Sequence, residues 1–356
     1  MAFRRLSPAR LIGLFFAVCA AGCSCCSGAN TKNAPPAVKG TSAAAVTQSS
    51  ELHPHQQFVT FLGTCDASGA VPLGERLFAL ADDENNVLRV YDARRGGRPV
   101  YEVDVSAAIG LRGDNVPEAD IEAATKFGEY ALWITSHGLS SRGKLQPSRF
   151  RFFATTAPVE GTGLAPIGRA YEGLLADMQA APQLKSFHLE QAAALAPKAE
   201  GGLNIEGMTV TRDGRSVWIG FRNPRPEGKA LLVPLHNPLE VVEGARAEFG
   251  LPVLLDLGGL TVRVVSLWHG RYVIGAGSAG NERDPARLYS WDGATEATLI
   301  PLDLHGLNLE AMVGFEQEKE LLLLSDDGTA MVDGVACKEQ TDPAKKYFRG
   351  MWSALP

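Results

Sequence analysis

Three short segments recur along the chain, and each could contribute a carboxylate to a shared site. Each has an acidic or amide residue, an apolar residue and then a glutamate: Asp120-Ile121-Glu122, Asn204-Ile205-Glu206 and Asn308-Leu309-Glu310. Alternate side chains of a β-strand point to the same face, so the two polar residues of each segment would face one way. Carboxylate and amide oxygens gathered in this way are the ligands that Ca²⁺ prefers.

The positions of these segments indicate a repeated unit. An apolar run of strand length follows each segment after about a dozen residues, and weaker copies begin near Asp66 and Thr261. The five starting points lie 54, 84, 57 and 47 residues apart, and a four-stranded propeller blade takes about 40 to 50 residues. The sequence therefore predicts an all-β, five-bladed β-propeller over residues 57–356. Six blades are the alternative, if Thr155–Ala199 contains another sheet.

The longest interval indicates an insertion, and the ends of the domain indicate how the ring closes. Residues 171–198 are rich in leucine and alanine and are interrupted by Pro182, which predicts one or two short helices. The strand Phe58–Leu62 is expected to join the last blade. Cys65 and Cys337 fall in the first and last units, which are neighbours in a closed ring, so they could form a disulfide. Two separately buried thiols are the alternative.

A propeller brings the start of each inner strand to a central channel, so the recurring polar residues should converge there. The predicted ligand-binding ring comprises Asp120, Glu122, Asn204, Glu206, Arg263, Asn308 and Glu310. Within it, Glu122, Glu206 and Glu310 are the predicted metal ligands, and Ca²⁺ is the expected cation. The alternative is a structural lock, in which Arg263 and the glutamates satisfy one another.

The ends of the second strands supply further polar candidates. His137 could act as a general acid or base near neutral pH, although a single loop histidine is more often a surface or hydrogen-bonding residue. Arg222, with Asn223, could hold a phosphate or carboxylate of a small anionic or polar ligand. A salt bridge from Arg222 to a neighbouring blade is the alternative.

The N-terminal region indicates export. Three arginines precede the apolar run Leu11–Ala21, which is too short at about 16 Å to span a bilayer, so residues 1–22 are predicted to be a signal peptide. Cys23 follows in a sequence similar to a bacterial lipobox, and residues 23–56 have the composition of a flexible tether. We expect a lipoprotein anchored in the cell envelope through Cys23 and facing the periplasm, with simple secretion as the alternative.

The charge of the chain argues against nucleic acid as a partner. The formal net charge is −6, and removal of a signal peptide with three arginines and no acids would make it −9. No basic stripe with interleaved aromatic residues compensates for the resulting repulsion of phosphate.

Several stretches resemble a known family. Cys65–Ser68 and Asp82–Asn86 are similar to the opening of the bacterial domain of unknown function 3616, and Leu203–Gly207 and Gly220–Pro224 are similar to its middle. The resemblance covers about residues 58–352. It implies a propeller-like fold, in the wider company of phytase-like and esterase-like propellers, and it brings no established activity.

The chain departs from that family's pattern at two kinds of position. Alanine follows the glutamate at Ala123 and Ala311, where the middle repeat has glycine, and Arg263 stands where an acid is expected. The metal ligands therefore do not carry over one by one.

Together these features predict a metal-assisted hydrolase of an ester or phosphate ester. In this hypothesis Glu206 and His137 are catalytic, and Arg222 or Arg263 holds the anion. The alternative is a non-catalytic propeller that binds a ligand or protein as a scaffold.

Overall fold

The computed structural model describes residues 56–158, 163–280 and 284–355. Within these ranges the chain forms five four-stranded sheets and one short two-stranded hairpin. Neighbouring strands are antiparallel in every sheet. The sheets are the blades of a propeller, which confirms the predicted all-β, five-bladed fold.

The first described strand, β1 (Gln56–Leu62), belongs to the last blade, and the next four form blade 1: β2 (Ala67–Leu73), β3 (Leu77–Asp82), β4 (Asn85–Asp92) and β5 (Tyr101–Asp104). Blade 2 contains β6 (Ile121–Phe127), β7 (Tyr130–Thr135), β8 (Phe152–Thr156) and β9 (Pro166–Tyr171). Blade 3 contains β10 (Asn204–Val210), β11 (Val217–Asn223), β12 (Ala230–Leu235) and β13 (Val253–Leu255). Blade 4 contains β14 (Thr261–Trp268), β15 (Arg271–Gly277), β16 (Arg287–Trp291) and β17 (Thr298–Ile300). Blade 5 contains β18 (Leu309–Gly314), β19 (Glu320–Ser325) and β22 (Tyr347–Ala354), and the hairpin of β20 (Met331–Val332) and β21 (Val335–Ala336) precedes β22.

The innermost strands line the central axis. β2, β6, β10, β14 and β18 contact one another in that order, and β18 contacts β2 again. The second strand of each blade is covered on both faces, which explains the unbroken apolar runs Ala131–Ile134 and Leu321–Leu324. The recurring segments of the sequence are therefore the starts of the inner strands.

The N-terminal strand closes the ring, as predicted. β1 pairs with β22 along its whole length, from Gln56 with Ser353 to Leu62 with Tyr347. The closure is packed as well as hydrogen-bonded, because Phe61 of β1 stacks on Phe348 at 4.8 Å and meets Phe78 of blade 1 edge-on at 5.2 Å. The apolar contact between blades 1 and 5 thus depends on a strand from the beginning of the domain.

The insertion lies between blades 2 and 3 and contains α1 (Leu174–Ala180), a 3-10 segment (Pro182–Phe187) and α2 (Leu189–Ala193). A third short helix, α3 (Pro238–Val242), connects β12 to β13. Residues 185–189 (Lys-Ser-Phe-His-Leu) have the length of a strand, and the sequence predicts them to be the outer strand of blade 2, which is wrong. The outer strand is β9. Residues 185–189 are largely helical instead, because Pro182 starts a 3-10 turn and the following Leu184 and Leu189 pack into the core. The segment contains no sixth sheet in its described part.

None of the helices in the described ranges is long and apolar enough to cross a membrane. The predicted signal peptide (residues 1–22), the lipidation site Cys23 and nearly all of the tether lie outside the described residues.

Candidate functional site

The inner strands carry bulges near their starts, and these bulges position the channel residues. In β6, Ile121 pairs with Thr135 and Ala123 pairs with Ile134, so Glu122 is an extra residue without a partner. The equivalent extra residues are Glu206 in β10, Arg263 in β14 and Glu310 in β18. A bulge bends the strand and re-aims the side chain of its extra residue. The four charged residues therefore occupy one equivalent position in four blades.

Arg263 joins the glutamates of the blades on either side of it. Its Nε lies 3.0 Å from Glu206 Oε2 and donates to Glu310 Oε2 at 3.1 Å, and its Nη2 forms a second, short contact with Glu310 Oε1. The prediction that Arg263 enters the ring from the unit without an acid is confirmed. This part of the ring has the geometry of a structural lock.

Each carboxylate oxygen of Glu206 lies against an arginine. Its Oε1 accepts hydrogen bonds from Arg222 Nη1 at 2.8 Å and from Asn204 Nδ2 at 2.7 Å, while Oε2 faces Arg263. Burial by itself would raise the pKa of Glu206, but the charges of Arg222 and Arg263 hold it below the ordinary value. Glu206 is therefore a carboxylate at neutral pH.

Glu122 has the opposite environment. Within the described part of the chain its carboxyl group forms no hydrogen bond or ion pair, although it lines the same channel as Glu206 and Glu310. Burial, together with the negative charges of Asp120 and Glu206, raises the pKa of Glu122 well above its ordinary value. Glu122 therefore holds its proton to a higher pH than an ordinary glutamate and than Glu206.

Asp120 lies beside Glu122 but is held from the other side. The residue adopts a left-handed backbone conformation (φ 59°), and Arg149 Nη1 lies 2.8 Å from its Oδ2. The same guanidinium also contacts Glu118. Burial raises the pKa of Asp120 to about 6, against the opposing effect of Arg149. Asp120 is thus mostly ionised at pH 7.

Three predicted ligand-binding residues are committed to the protein itself. Arg222 donates from Nε to Ala279 O at 2.9 Å and from Nη2 to Gly280 O at 2.8 Å, in addition to its bond with Glu206. Asn223 Nδ2 donates to Pro197 O and Ala279 O. The exposed Asn308 donates to Asp326 and does not join the ring. These contacts hold Arg222, Asn223 and Asn308 within the protein, and ligand binding by them stays a prediction.

His137 lies in the interior and not on a surface loop, because its side chain is 0% exposed. Its Nδ1 forms a hydrogen bond with Thr135 O at 2.8 Å, and its ring packs edge-on against Phe150. Burial lowers the pKa of His137 to about 4, so the ring is neutral near pH 7. The structure contradicts the predicted role of proton carrier and supports the hydrogen-bonding alternative.

The three predicted metal ligands do not form a metal centre. In the ranges that the structure describes, no three His, Cys, Asp or Glu side chains are placed to hold a metal ion. The reason is Arg263, whose guanidinium occupies the space between Glu206 and Glu310 and neutralises both. Ca²⁺ binding stays a prediction without this ligand set.

A further group of acids, which we call the acid cluster, consists of Asp66, Asp83 and Asp326. A side-chain carbon added at Gly328 would meet Asp66 Oδ1 at 1.8 Å and Asp326 Oδ1 at 3.1 Å, so these two carboxyl groups lie close together. Burial, followed by the charge of Asp326, raises the pKa of Asp66 to about 7. Asp83 Oδ1 is buried without a hydrogen-bond partner in the described structure. The three side chains come from separate loops. Asp83 and Asp326 each follow the second strand of a blade, and that position was their only signal in the sequence.

The acid cluster should make stability depend on pH. The ordinary pKa of Asp66 is 3.8, so between about pH 4 and pH 7 the folded protein keeps a proton that the unfolded chain releases, and stability falls as pH rises. We expect Asp66→Asn to raise the melting midpoint at pH 8 by about 2–4 °C, or about 1 kcal/mol, and to leave it unchanged at pH 4. Melting scans across this range measure the effect. Asp114→Asn, at an exposed acid, is the control, and an equal gain at both pH values would contradict the assignment.

Two cavities are lined in part by the site residues described above. The central channel encloses about 80 Å³ and is lined by the inner strands, which leaves room for a few water molecules but not for an organic ligand. A larger groove of about 590 Å³ opens beside it, between the insertion and the loops of blades 3 and 4. Lys198 and Asn223 line this groove, and Asn223 directly follows the Arg222 that binds Glu206.

The family resemblance is confirmed for part of the chain. Residues 169–315 match the model of a family described as protein of unknown function (DUF3616). This range contains Glu206, Arg263 and Glu310 and leaves out Glu122. No curated protein matches the chain.

Solved propellers resemble the chain at low identity. Glutaminyl cyclase from Myxococcus xanthus is 10% identical, with 85% of this chain and 98% of that chain covered and a TM-score of 0.44. The PQQ-bound aldose sugar dehydrogenase from Streptomyces coelicolor is 10% identical, with 84% and 99% covered and a TM-score of 0.40. The β-propeller domain of Cps50 (Swd1) from Myceliophteria thermophila is 10% identical, with 84% and 100% covered and a TM-score of 0.38. Similarity at this level says nothing about activity.

Proposed function

We propose that this propeller, in which residues 169–315 match the DUF3616 family, hydrolyses a small ester or phosphate ester at the mouth of its central channel. The observation that carries the proposal is the opposite environment of two glutamates that line one channel. The pKa of Glu122, which has no ion-pair partner in the described structure, is raised well above its ordinary value, whereas two arginines hold the pKa of Glu206 below its ordinary value. Pairs of acids whose environments push their pKa values apart are typical of acid–base catalysis.

The roles follow from these environments. Glu122 carries a proton and no competing hydrogen bond, so it would donate that proton to the leaving oxygen of the substrate. Asp120, with a pKa of about 6, is mostly ionised at pH 7 and would accept a proton from the attacking water. Arg263 would stabilise the negative charge that develops in the transition state. Glu206 acts as a positioning residue, because both of its oxygens hold arginines.

We extend the proposal to the cell envelope, where a lipid anchor on Cys23 would hold the propeller on the periplasmic side. The disulfide between Cys65 and Cys337 supports an oxidising compartment. The test is fractionation of cells that produce the full chain, followed by mass spectrometry of residue 23. A cytosolic protein that retains its first 22 residues would contradict export.

Glu122→Gln is the decisive variant for catalysis. The amide keeps the shape and neutrality of the protonated acid but cannot donate the proton, so we expect hydrolysis to fall about 10²- to 10⁴-fold while the fold persists. Hydrolysis of ethyl acetate, ethyl butyrate and glycerol 2-phosphate measures the rate, because their alkoxide leaving groups need a proton, and thermal melting reports the fold. Glu129→Gln is the matched control, because Glu129 is exposed in the turn after the same strand.

Two outcomes separate this proposal from the scaffold alternative. Turnover that survives in Glu122→Gln at the wild-type rate would remove Glu122 from the mechanism. Absence of turnover on every ester, combined with ligand binding, would favour a non-catalytic propeller. Melting with added Ca²⁺ and with EDTA completes the comparison, since a Ca²⁺-dependent midpoint would indicate that a cation assists at this site.

A further inference from the structure

The groove beside the channel is built to hold a small molecule. Its walls are the end of the insertion, the loop before β10, the loop after β11 and residues Ala279 and Gly280 of blade 4. Its volume of about 590 Å³ lies within the range of about 300–1,000 Å³ that is usual for sites of small ligands. The central channel, by contrast, is too small for such a ligand.

Hydrogen bonds between blades fix the floor of this groove. Asn223 Nδ2 donates to Pro197 O at 2.9 Å and to Ala279 O at 3.2 Å, which ties the loops of blades 3 and 4 together. Arg225 Nη1 donates to Gly259 O at 2.6 Å, which holds a second cation at the rim. The groove is therefore preformed, and a ligand would bind without first ordering the loops.

The charges that line the groove favour an anion. Lys198 and Arg225 are cationic, and Glu200 is the one acid among the described lining residues. In the described structure Lys198 forms no ion pair, although it lies close enough to Arg222 and Arg263 to be repelled by both. Lys198 is exposed at the rim of the groove, and partial desolvation together with this repulsion lowers its pKa, against the opposing charges of Glu206 and Glu122. A bound anion would offset the repulsion between the cationic groups.

We infer that the groove binds the anionic part of the substrate, a carboxylate or phosphate group on a small organic molecule, with Lys198 as its principal counter-charge. The inference rests on the proposed hydrolysis only in calling the bound molecule a substrate, because anion binding can be measured without turnover. Anchored at Lys198, the molecule would place its ester group toward Glu122, because Lys198 interacts electrostatically with both Glu122 and Glu206.

The test compares anionic and neutral probes on three variants of the purified protein. Inorganic phosphate and succinate are titrated by calorimetry, and p-nitrophenyl phosphate and p-nitrophenyl acetate are compared as substrates. We expect Lys198→Ala to weaken anion binding about tenfold and to raise KM for the phosphate ester by a similar factor. Turnover of the neutral acetate should not change. Lys198→Arg should retain binding, and Lys185→Ala, an exposed lysine of the same insertion outside the groove, is the control.

The outcomes distinguish this inference from the proposed function. If anions bind and Lys198→Ala loses them, but no ester is hydrolysed, the groove is an anion site and the hydrolase proposal fails. If esters are hydrolysed and Lys198→Ala binds anions as the wild type does, the inference fails and the hydrolase proposal stands. Absence of any binding of phosphate or succinate by the wild type would also overturn the inference.

Discussion

Replacing Glu206 by alanine is expected to lower the free energy of unfolding by about 3–5 kcal/mol, the cost of leaving buried charges without a partner. Glu206 holds Arg222 at 2.8 Å and Arg263 at 3.0 Å, and Arg222 is only 6% exposed. Removal of the carboxylate would leave the buried Arg222 without an acidic partner and near Arg263, which keeps only Glu310. Urea unfolding at pH 7 measures the loss.

A double variant and a variant at an exposed acid provide the controls. Glu206→Ala combined with Arg222→Met should recover part of the lost stability, because the guanidinium that has lost its only carboxylate partner is then absent. Glu129→Ala, at an exposed acid, should change stability by less than about 0.5 kcal/mol. A loss below about 1 kcal/mol in Glu206→Ala would mean that water reaches the arginines and that the lock is not buried.

The expected instability affects how catalysis can be tested. An inactive Glu206→Ala protein would be ambiguous, because the channel mouth itself would be disturbed. Glu122 has no arginine to release, so Glu122→Gln removes a proton donor without leaving a buried charge. The two glutamates look equivalent in the sequence, and only the structure shows that one is a structural anchor and the other is not.

The sequence could predict the architecture because each blade repeats the start of its inner strand. The recurring Glu122, Glu206 and Glu310, with Arg263 in the remaining interval, marked four of the five starts, and all four prove to be bulge residues. The apolar second strands were equally clear, because both of their faces are buried. These are strong signals, since packing imposes them in every unit.

Other features depend on contacts that local sequence does not encode. β9 was missed because it is the outer, largely exposed strand of its blade, so it lacks an apolar pattern. The segment around His137 has the composition of a loop, but its left-handed residue (φ 53°) turns the ring inward against Phe150. The acid cluster is assembled from the loops of two blades, and its members lie up to 260 residues apart in the chain.

The disulfide between Cys65 and Cys337 joins the first and last blades. Its two Cα atoms are 5.9 Å apart and are separated by 272 residues in the chain. The bond also anchors the top of blade 5, because Asp327 N donates to Cys65 O at 2.9 Å and Lys338 contacts Glu84 of blade 1. It therefore holds the loops that carry Asp66 and Asp326 against each other.

Replacing both cysteines by serine is expected to lower the free energy of unfolding by about 2–5 kcal/mol, since the cross-link restricts the unfolded chain over almost the whole domain. The ring should remain closed at 25 °C, because the seven pairs between β1 and β22 close it independently. Melting with and without dithiothreitol measures the effect, and the reductant should lower the midpoint of the wild type but not that of the double variant. An equal effect on both proteins would show that the reductant acts elsewhere. A double variant as stable as the oxidised wild type would mean that β1 alone accounts for the closure.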